Sequence, residues 1–535
     1  MRMWKLAVMA LVLGALSVSA GAASMEMANL VPADSKGMIE TVDAAGTRQM
    51  MLDSKFWAAL EQTEAFKEWR ASQKYAQMQE RVERLLKNLD MPLDVALKTY
   101  LGGRSAVVQL AGDNKKDGVF LTEATNEMAQ RLVRATGGIE VKRHLDVAIW
   151  EVRNDEKVDH MAFAGGVMLM TGSEGDALER TLDVIVGGGA ALGTEGHFKA
   201  ATDALPAGWR TRAYGAVCPP RKGPGAIAMY PAADKGRIHF EWRLVSAPID
   251  ISMTAPEVLT VTSAIPDKAV AAGATALHLA PIWNFVKGKI GEKPDAQEKL
   301  RKAEMFVRGL FPGESMDSIC AAFGPEAGAA LLKGDGGSAP GAVALLKLTG
   351  TGKPVANAFK NGLAAKAMIL GAMSNQENKG PKLNVREESY NNVSMVIIEA
   401  PEVLEKFLGA WAKDVGITIA VTDTWLIVGT TPAGVKQSID TAADPTGKGS
   451  LAAALKKDGE NVPTTPTTHW GVIEPASGAD IVIDAAERFI GTQRIEKLKK
   501  AANLAELMGL VKRVIWQRVD EPAVIRGSAD IQATN

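Results

Sequence analysis

The chain is written twice. VMLMTGSEGDALERTLD (167–183) aligns with TWLIVGTTPAGVKQSID (424–440), which sets Gly172 on Gly429, Leu178 on Val435, Leu182 on Ile439 and Asp183 on Asp440. Further on, TRAYGAV (211–217) meets TTHWGVI (467–473), with Gly215 on Gly471. The spacing is 257 residues in the first match and 256 in the second. Chance does not readily hold one spacing across two separate segments, and self-similarity of this kind marks a repeated structural unit.

Upstream, the same order persists with looser spacing. LVPADSKGMIETVD (30–43) corresponds to AIPDKAVAAGATALHLA (264–280), and YLGGRSAVVQL (100–110) to AAFGPEAGAALL (321–332). DGVFLTEATNEMAQRLV (117–133) corresponds to GAVALLKLTGTGKPVANAF (341–359), and IEVKRHLDVAIWEV (139–152) to LNVREESYNNVSMVIIEA (383–400). The boundaries that follow are a signal peptide over 1–22, a first copy over 25–255 and a second over 256–535. At 535 residues more than one core is expected in any case.

Period and punctuation give the fold class. From Ser54 to Leu89 apolar residues recur at three and four with charges between them, which predicts one long helical stretch. RIHFEWRL alternates instead, with Ile238, Phe240, Trp242 and Leu244 on one face and Arg237, His239, Glu241 and Arg243 on the other. Such one-sided strands favour antiparallel sheet with a wet face and helices over the other. The expected class is therefore α+β: two tandem copies of a mainly antiparallel sheet covered by helices. KGDGGSAPG (333–341) and SNQENKGPK (374–382) read as exposed loops. AVAAGATALHLAPIWNFV (269–286) reads as buried strand and turn, because His278, Pro281 and Asn284 interrupt it.

The segments LVPADSKGMIETVD, LDMPLDVALKTYLGGRSAVVQL and FPGESMDSICAAFGPEAGAALL resemble a family of secreted bacterial proteins classed as a domain of unknown function. Members share a Pro-Ala-Asp-Ser/Thr opening, a helical span and a glycine pair before a strand. The resemblance implies export and α+β architecture, and it brings no catalytic residue.

The N-terminus carries its own address. Arg2 and Lys5 precede an apolar run from Leu6 to Leu16, and Ala20-Gly21-Ala22, followed by Ala23, supplies the small-residue pattern of a processing site. Eleven apolar residues are too few to cross a bilayer, which takes about 20. Export to the periplasm or the exterior is expected, with an uncleaved anchor as the alternative. Removing 1–22 lowers the basic count from 61 to 59 against 62 acids. Such a near-neutral chain lacks the field that nucleic-acid binding requires. No later stretch reads as a membrane span. Cys218 and Cys320 permit one disulfide without requiring it.

The motifs that carry chemistry are missing or broken. Glu174 and Asp176 would repel an anion from the turn after Gly172, where Ser173 to Asp176 fits a capping box. Thr431-Pro432 is the matching cap with proline at the first helical position. Lys353 and Lys448 lack the spacing of a phosphate loop, and VGGGAALG (186–193) reads as a helix end. Among His144, His160, His197, His239, His278 and His469 none pairs at zinc-site spacing. Asp159-His160 and His239-x-Glu241 are the close acid–histidine neighbours, and a solvated strand face accounts for the second. Trp425 and Trp470 read as core.

No catalytic, cofactor-binding or metal-binding set follows, and no cofactor is called for. The expectation is a soluble binding or scaffold protein of the cell envelope. Its partner would be a protein, a glycan or an apolar ligand at the seam between copies. The alternatives are an envelope hydrolase with a dispersed site around Asp159, His160 or His239, and a two-lobed small-molecule receptor.

Overall fold

A computed structural model describes residues 26–111, 118–154, 157–172, 176–218, 223–230, 236–246, 255–290, 294–334, 338–377, 383–460, 462–479, 481 and 505–534. The signal-peptide segment, with Ala20, Ala22 and Ala23, lies outside them, as does Ser173. The chain divides into two compact units, 1–248 with 523–535, and 249–522. Each is α+β, with every strand pairing given below antiparallel.

The first unit holds β1 (Gly37–Thr41), β2 (Ser105–Gln109), β3 (Gly118–Glu123), β4 (Ile139–His144), β5 (Val147–Asn154), β6 (Lys157–Ala164), β7 (Val167–Thr171), β8 (Thr211–Cys218), β9 (Gly223–Tyr230), β10 (Arg237–Val245) and β20 (Val524–Ala533). The second holds β11 (Ala269–Ala276), β12 (Phe323–Leu332), β13 (Gly341–Leu348), β14 (Asn384–Tyr390), β15 (Val393–Glu399), β16 (Ile417–Val421), β17 (Trp425–Gly429), β18 (His469–Ile473) and β19 (Val511–Asp520). Hydrogen bonding orders the first sheet β4-β5-β6-β7-β3-β2-β1-β8-β9-β10-β20. The second runs β14-β15-β16-β17-β13-β12-β11-β18-β19. Strand for strand, the nine of the second unit repeat the order of the first nine in the first.

The registers agree as well. Gly37 faces Gly215 across β1 and β8, and Gly273 faces Gly471 across β11 and β18. An isolated bridge joins Pro32 to Ala191 in one unit and Pro266 to Ser450 in the other. The hairpin tips Leu145-Asp146 and Asn391-Asn392 have the same positive φ pairs, 48° and 62°, the backbone of a two-residue turn that matches strand twist. In both units a helical aspartate ties that hairpin down. His144 Nε2 lies 2.6 Å from Asp183, and the Tyr390 hydroxyl donates to Asp440 at 2.7 Å.

Helices enter at the same points of the two chains. One face of the first sheet, with Met38, Val108, Leu169 and Tyr214, is closed by helices Ala177–Ile185 and Gly196–Thr202. The opposite face is covered over β5–β7, where Met161 and Met168 meet the helices Gln73–Leu89, Leu93–Leu101 and Asn126–Ala135. In the second unit Pro432–Ala443 and Leu451–Lys457 close the first face. Met316–Ala322 and Gly352–Glu377 cover β16 and β17 on the other.

Several expectations need correction. The stretch 54–89 forms three helices, Lys55–Leu60, Glu64–Arg70 and Gln73–Leu89, because Ser54, Thr63 and Ser72 each accept from a backbone N–H and start a new turn. After β11, residues 279–290 are a helix rather than a turn, and Pro281 is tolerated in its first turn. The loop expected over 374–382 begins later, since 374–377 complete the helix Gly352–Glu377. Residues 523–535 group with the first unit, where β20 pairs with β10 over nine residues. The helix after Gly172 starts at Ala177 with Asp176 as N-cap, and the capping box expected from Ser173 lies outside the described residues. Thr431 does cap its helix, accepting from Gly434 N at 3.2 Å with Pro432 next.

Candidate functional site

Among the described residues, the helices named above cover the second face only in part, and strand alternation identifies the residues of the remainder. In the second unit β11 buries Ala272, Ala274 and Ala276 in the core. Gly273 and Thr275 therefore point the other way. Through the ladders they lie beside Ala329 and Ala327 on β12, Gly471 and His469 on β18, and Trp516 and Arg518 on β19. All of these but Gly471 line an open groove of about 500 Å³.

Small side chains make its floor and an indole makes its wall. A Cβ at Gly471 would fall 2.0 Å from Trp516 Cζ2, so only glycine lets the Trp516 ring lie against that strand. His469 Nδ1 and the Thr275 hydroxyl are 2.9 Å apart. Arg518 is held by Asp520 at 2.6 and 2.8 Å. Burial lowers the His469 pKa, Arg518 lowers it further and Asp520 only partly offsets this. The groove thus offers an aromatic face, a neutral imidazole, a hydroxyl and one guanidinium over a glycine–alanine floor.

The same ladder positions in the first unit carry their bulk on other strands. Ile39, Val107 and Gln109 stand where the second unit has Thr275, Ala327 and Ala329. Ala213, Gly225 and Ile227 stand where it has His469, Trp516 and Arg518.

The residues singled out by sequence do not gather there, His469 excepted. Asp159 and His160 are consecutive on β6 and so project to opposite faces. His239 and Glu241 face the same way as Tyr230 and Ala228, which are buried on the helix-covered side, while Phe240 and Trp242 share the open side with Ile227. The solvated-face reading of RIHFEWRL is thereby corrected: its polar row is half-buried. His239 Nδ1 meets Asp530 at 2.9 Å and its Nε2 meets Glu241 at 3.1 Å. Burial alone would lower this imidazole's pKa, but the two carboxylates outweigh it and raise it.

Trp425 and Trp470 are 5% and 2% exposed and belong to the core. Met168, matched to Trp425 by the 257-residue spacing, packs on the opposite face, so the two strands are offset by one residue. Cys218 and Cys320 are free thiols in different units, both with pKa raised by burial. Among the described residues no group of three or more His, Cys, Asp or Glu side chains is placed to hold a metal. Among them, too, no helix is long and apolar enough to cross a membrane.

Sequence reasoning found Gly471 through the repeat but missed Ala327, Ala329 and Trp516. Their meeting depends on strand register across about 190 residues, which no local pattern encodes.

No family model matches the chain, and no curated protein sequence matches it. Among solved structures, one described as "Structure of crystal form I of TP0453" aligns over 43% of this chain and 82% of its own. The identity is 9% and the TM-score 0.25, a level that establishes neither a shared fold nor a shared function.

Proposed function

We propose that this is an exported, non-catalytic binding or scaffold protein of the cell envelope, built from a tandemly duplicated α+β module. The matching strand orders, the paired glycines and the two aspartate-anchored hairpins support the duplication. The N-terminal pattern around Ala20, Ala22 and Ala23 and the resemblance to secreted proteins of an uncharacterised family support export.

One observation carries the binding role. Equivalent ladder positions hold Ile39, Val107 and Gln109 beside Ala213 and Gly225 in one module, and Thr275, Ala327 and Ala329 beside His469 and Trp516 in the other, so that in the second an aromatic wall stands over a small-residue floor. Trp516 beside His469 and Arg518 suits a flat ligand that stacks and accepts or donates a few hydrogen bonds, such as a sugar ring or a small aromatic. The hydrolase alternative is weakened at His239, whose two ring nitrogens are both engaged by carboxylates.

The test restores the first module's residues in the second. Thr275→Ile, Ala327→Val and Ala329→Gln put the first module's residues into the groove, and an unchanged circular-dichroism spectrum checks that the variant folds. Native mass spectrometry of protein recovered from the periplasm should find a retained molecule on the natural chain and lose it in the triple variant. Identical spectra, with or without adducts, would refute the reading.

A further inference from the structure

The helix Gly352–Glu377 buries Ala364 and Ala367 against Val396 and Ile398. Its opposite side should then be polar. It is not. Met368, Ile369, Leu370 and Met373 are 50 to 59% exposed, and Lys366 is the only charged residue between 361 and 373. A helix that is apolar all round needs a cover on its second side as well.

The neighbouring helix Pro294–Leu310 extends the patch. Lys366 Nζ sits 5.3 Å from the centroid of the Phe306 ring, which fixes the two helices side by side. Phe306 is 66% exposed and Met305 56%. Around them the exposed charges are mostly positive: Arg301, Lys302 and Arg308. The nearby acids are Glu298, paired with Lys302 at 2.7 Å, and the half-buried Glu304.

We infer that this two-helix patch docks on an anionic lipid surface, with its apolar side chains in the headgroup–acyl boundary and its cations against the phosphates. Large aliphatic and aromatic side chains flanked by arginine and lysine are the composition of a helix that lies in that boundary. Charge decides between lipid and a second copy of the chain. A symmetric dimer through the patch would bring each copy's cluster of Arg301, Lys302 and Arg308 towards its twin, whereas an anionic surface attracts all three. Because the chain as a whole is near neutral, attachment would rest on apolar insertion with local charge pairing, and salt would weaken it only in part.

The experiment is flotation of the full chain with vesicles of phosphatidylcholine alone or mixed with phosphatidylglycerol. Binding to the anionic vesicles should exceed that to neutral ones by on the order of tenfold or more, as a few surface cations imply. Phe306→Ser/Ile369→Ser/Leu370→Ser should abolish it, and Arg301→Glu/Arg308→Glu should remove the preference for anionic lipid. Ile139→Ser/Val217→Ser, at equally exposed apolar positions of the other unit, should change nothing. Absence of binding, or equal binding by both patch variants, overturns the inference. So does a concentration-dependent dimer that the triple serine variant dissolves, which would assign the patch to self-association.

Discussion

Glu40 and Glu326 do one job from two different strands. Glu40, on β1 and fully buried, accepts from Met27 N at 3.1 Å. Glu326, on β12 and 1% exposed, accepts from Val261 N at 2.9 Å. Met27 and Val261 each open a short 3-10 turn ahead of the first strand of their unit. The ladders pair Glu40 with Ala106 and Glu326 with Ala276, so the carboxylate has moved one strand sideways while its target stayed in place. Its cations changed too: Arg212 at 3.0 Å and Arg104 at 3.3 Å in one unit, Lys347 at 2.6 Å in the other. Truncating one partner of a buried ion pair costs about 3–5 kcal/mol. With Lys347 partly exposed, Glu326→Ala should fall at the low end, about 3 kcal/mol, in urea denaturation of the second unit. Adding Ala276→Glu should recover at least half of that loss. A double variant no more stable than the single one would mean the two sites are not interchangeable. Two histidines add a pH signature of opposite sign. His239 has a folded pKa above its unfolded value of about 6.5. It therefore adds stability below that pH, which is lost as pH rises through the folded value. His469 is shifted down, so its contribution is present above pH 6.5 or so and is lost as pH falls towards the folded value. An NMR titration should place the His239 imidazole above 6.5 and His469 below it. The reverse order would contradict the contacts described.

At the scale of elements, what could be read in the sequence follows from how local each signal is. Thr431-Pro432 announced a helix start that the backbone confirms, because a cap needs only three or four residues to form. VGGGAALG likewise marks a helix end, with Gly188 at φ 71° just beyond Ile185. The apolar period over 54–89 was real, but Ser54, Thr63 and Ser72 compete with it, and their side chains break one helix into three. Alternation in RIHFEWRL located a strand and sorted its two rows, both of which are half-buried. The period tells which residues share a side. Which side is covered depends on β9 and β20, whose registers put Ala228 and Ser528 beside Glu241. The groove was out of reach for the same reason. Gly471 stood out as a repeat match, yet Ala327 and Ala329 gain meaning only once β11 sets them beside Gly273 and Thr275.

At the scale of the molecule, the two units are not equally self-contained along the chain. The first cannot be completed until residue 533 has been made, because β20 supplies the strand that flanks β10. The pairing runs from Arg237 with Gln532 to Val245 with Val524, and His239 adds its contact to Asp530. Without β20, β10 becomes a nine-residue edge strand carrying Phe240 and Trp242, the kind of bare edge that folded proteins avoid. The internal repeat read from the sequence would by itself place residues 523–535 in the second copy, since nothing in AVIRGSADIQATN points back some 280 residues to its partner. Truncation after Pro522 separates the two descriptions. If β20 is an integral part of the first unit, the shortened chain should lose the melting transition of that unit or lower it by several degrees. It should also aggregate through the exposed β10 edge. Differential scanning calorimetry reads both transitions, and adding the 523–535 peptide in trans should restore the lower one. A shortened chain whose first transition is unmoved would make β20 an accessory strand. The unit would then end at Val245, as the internal repeat by itself suggests.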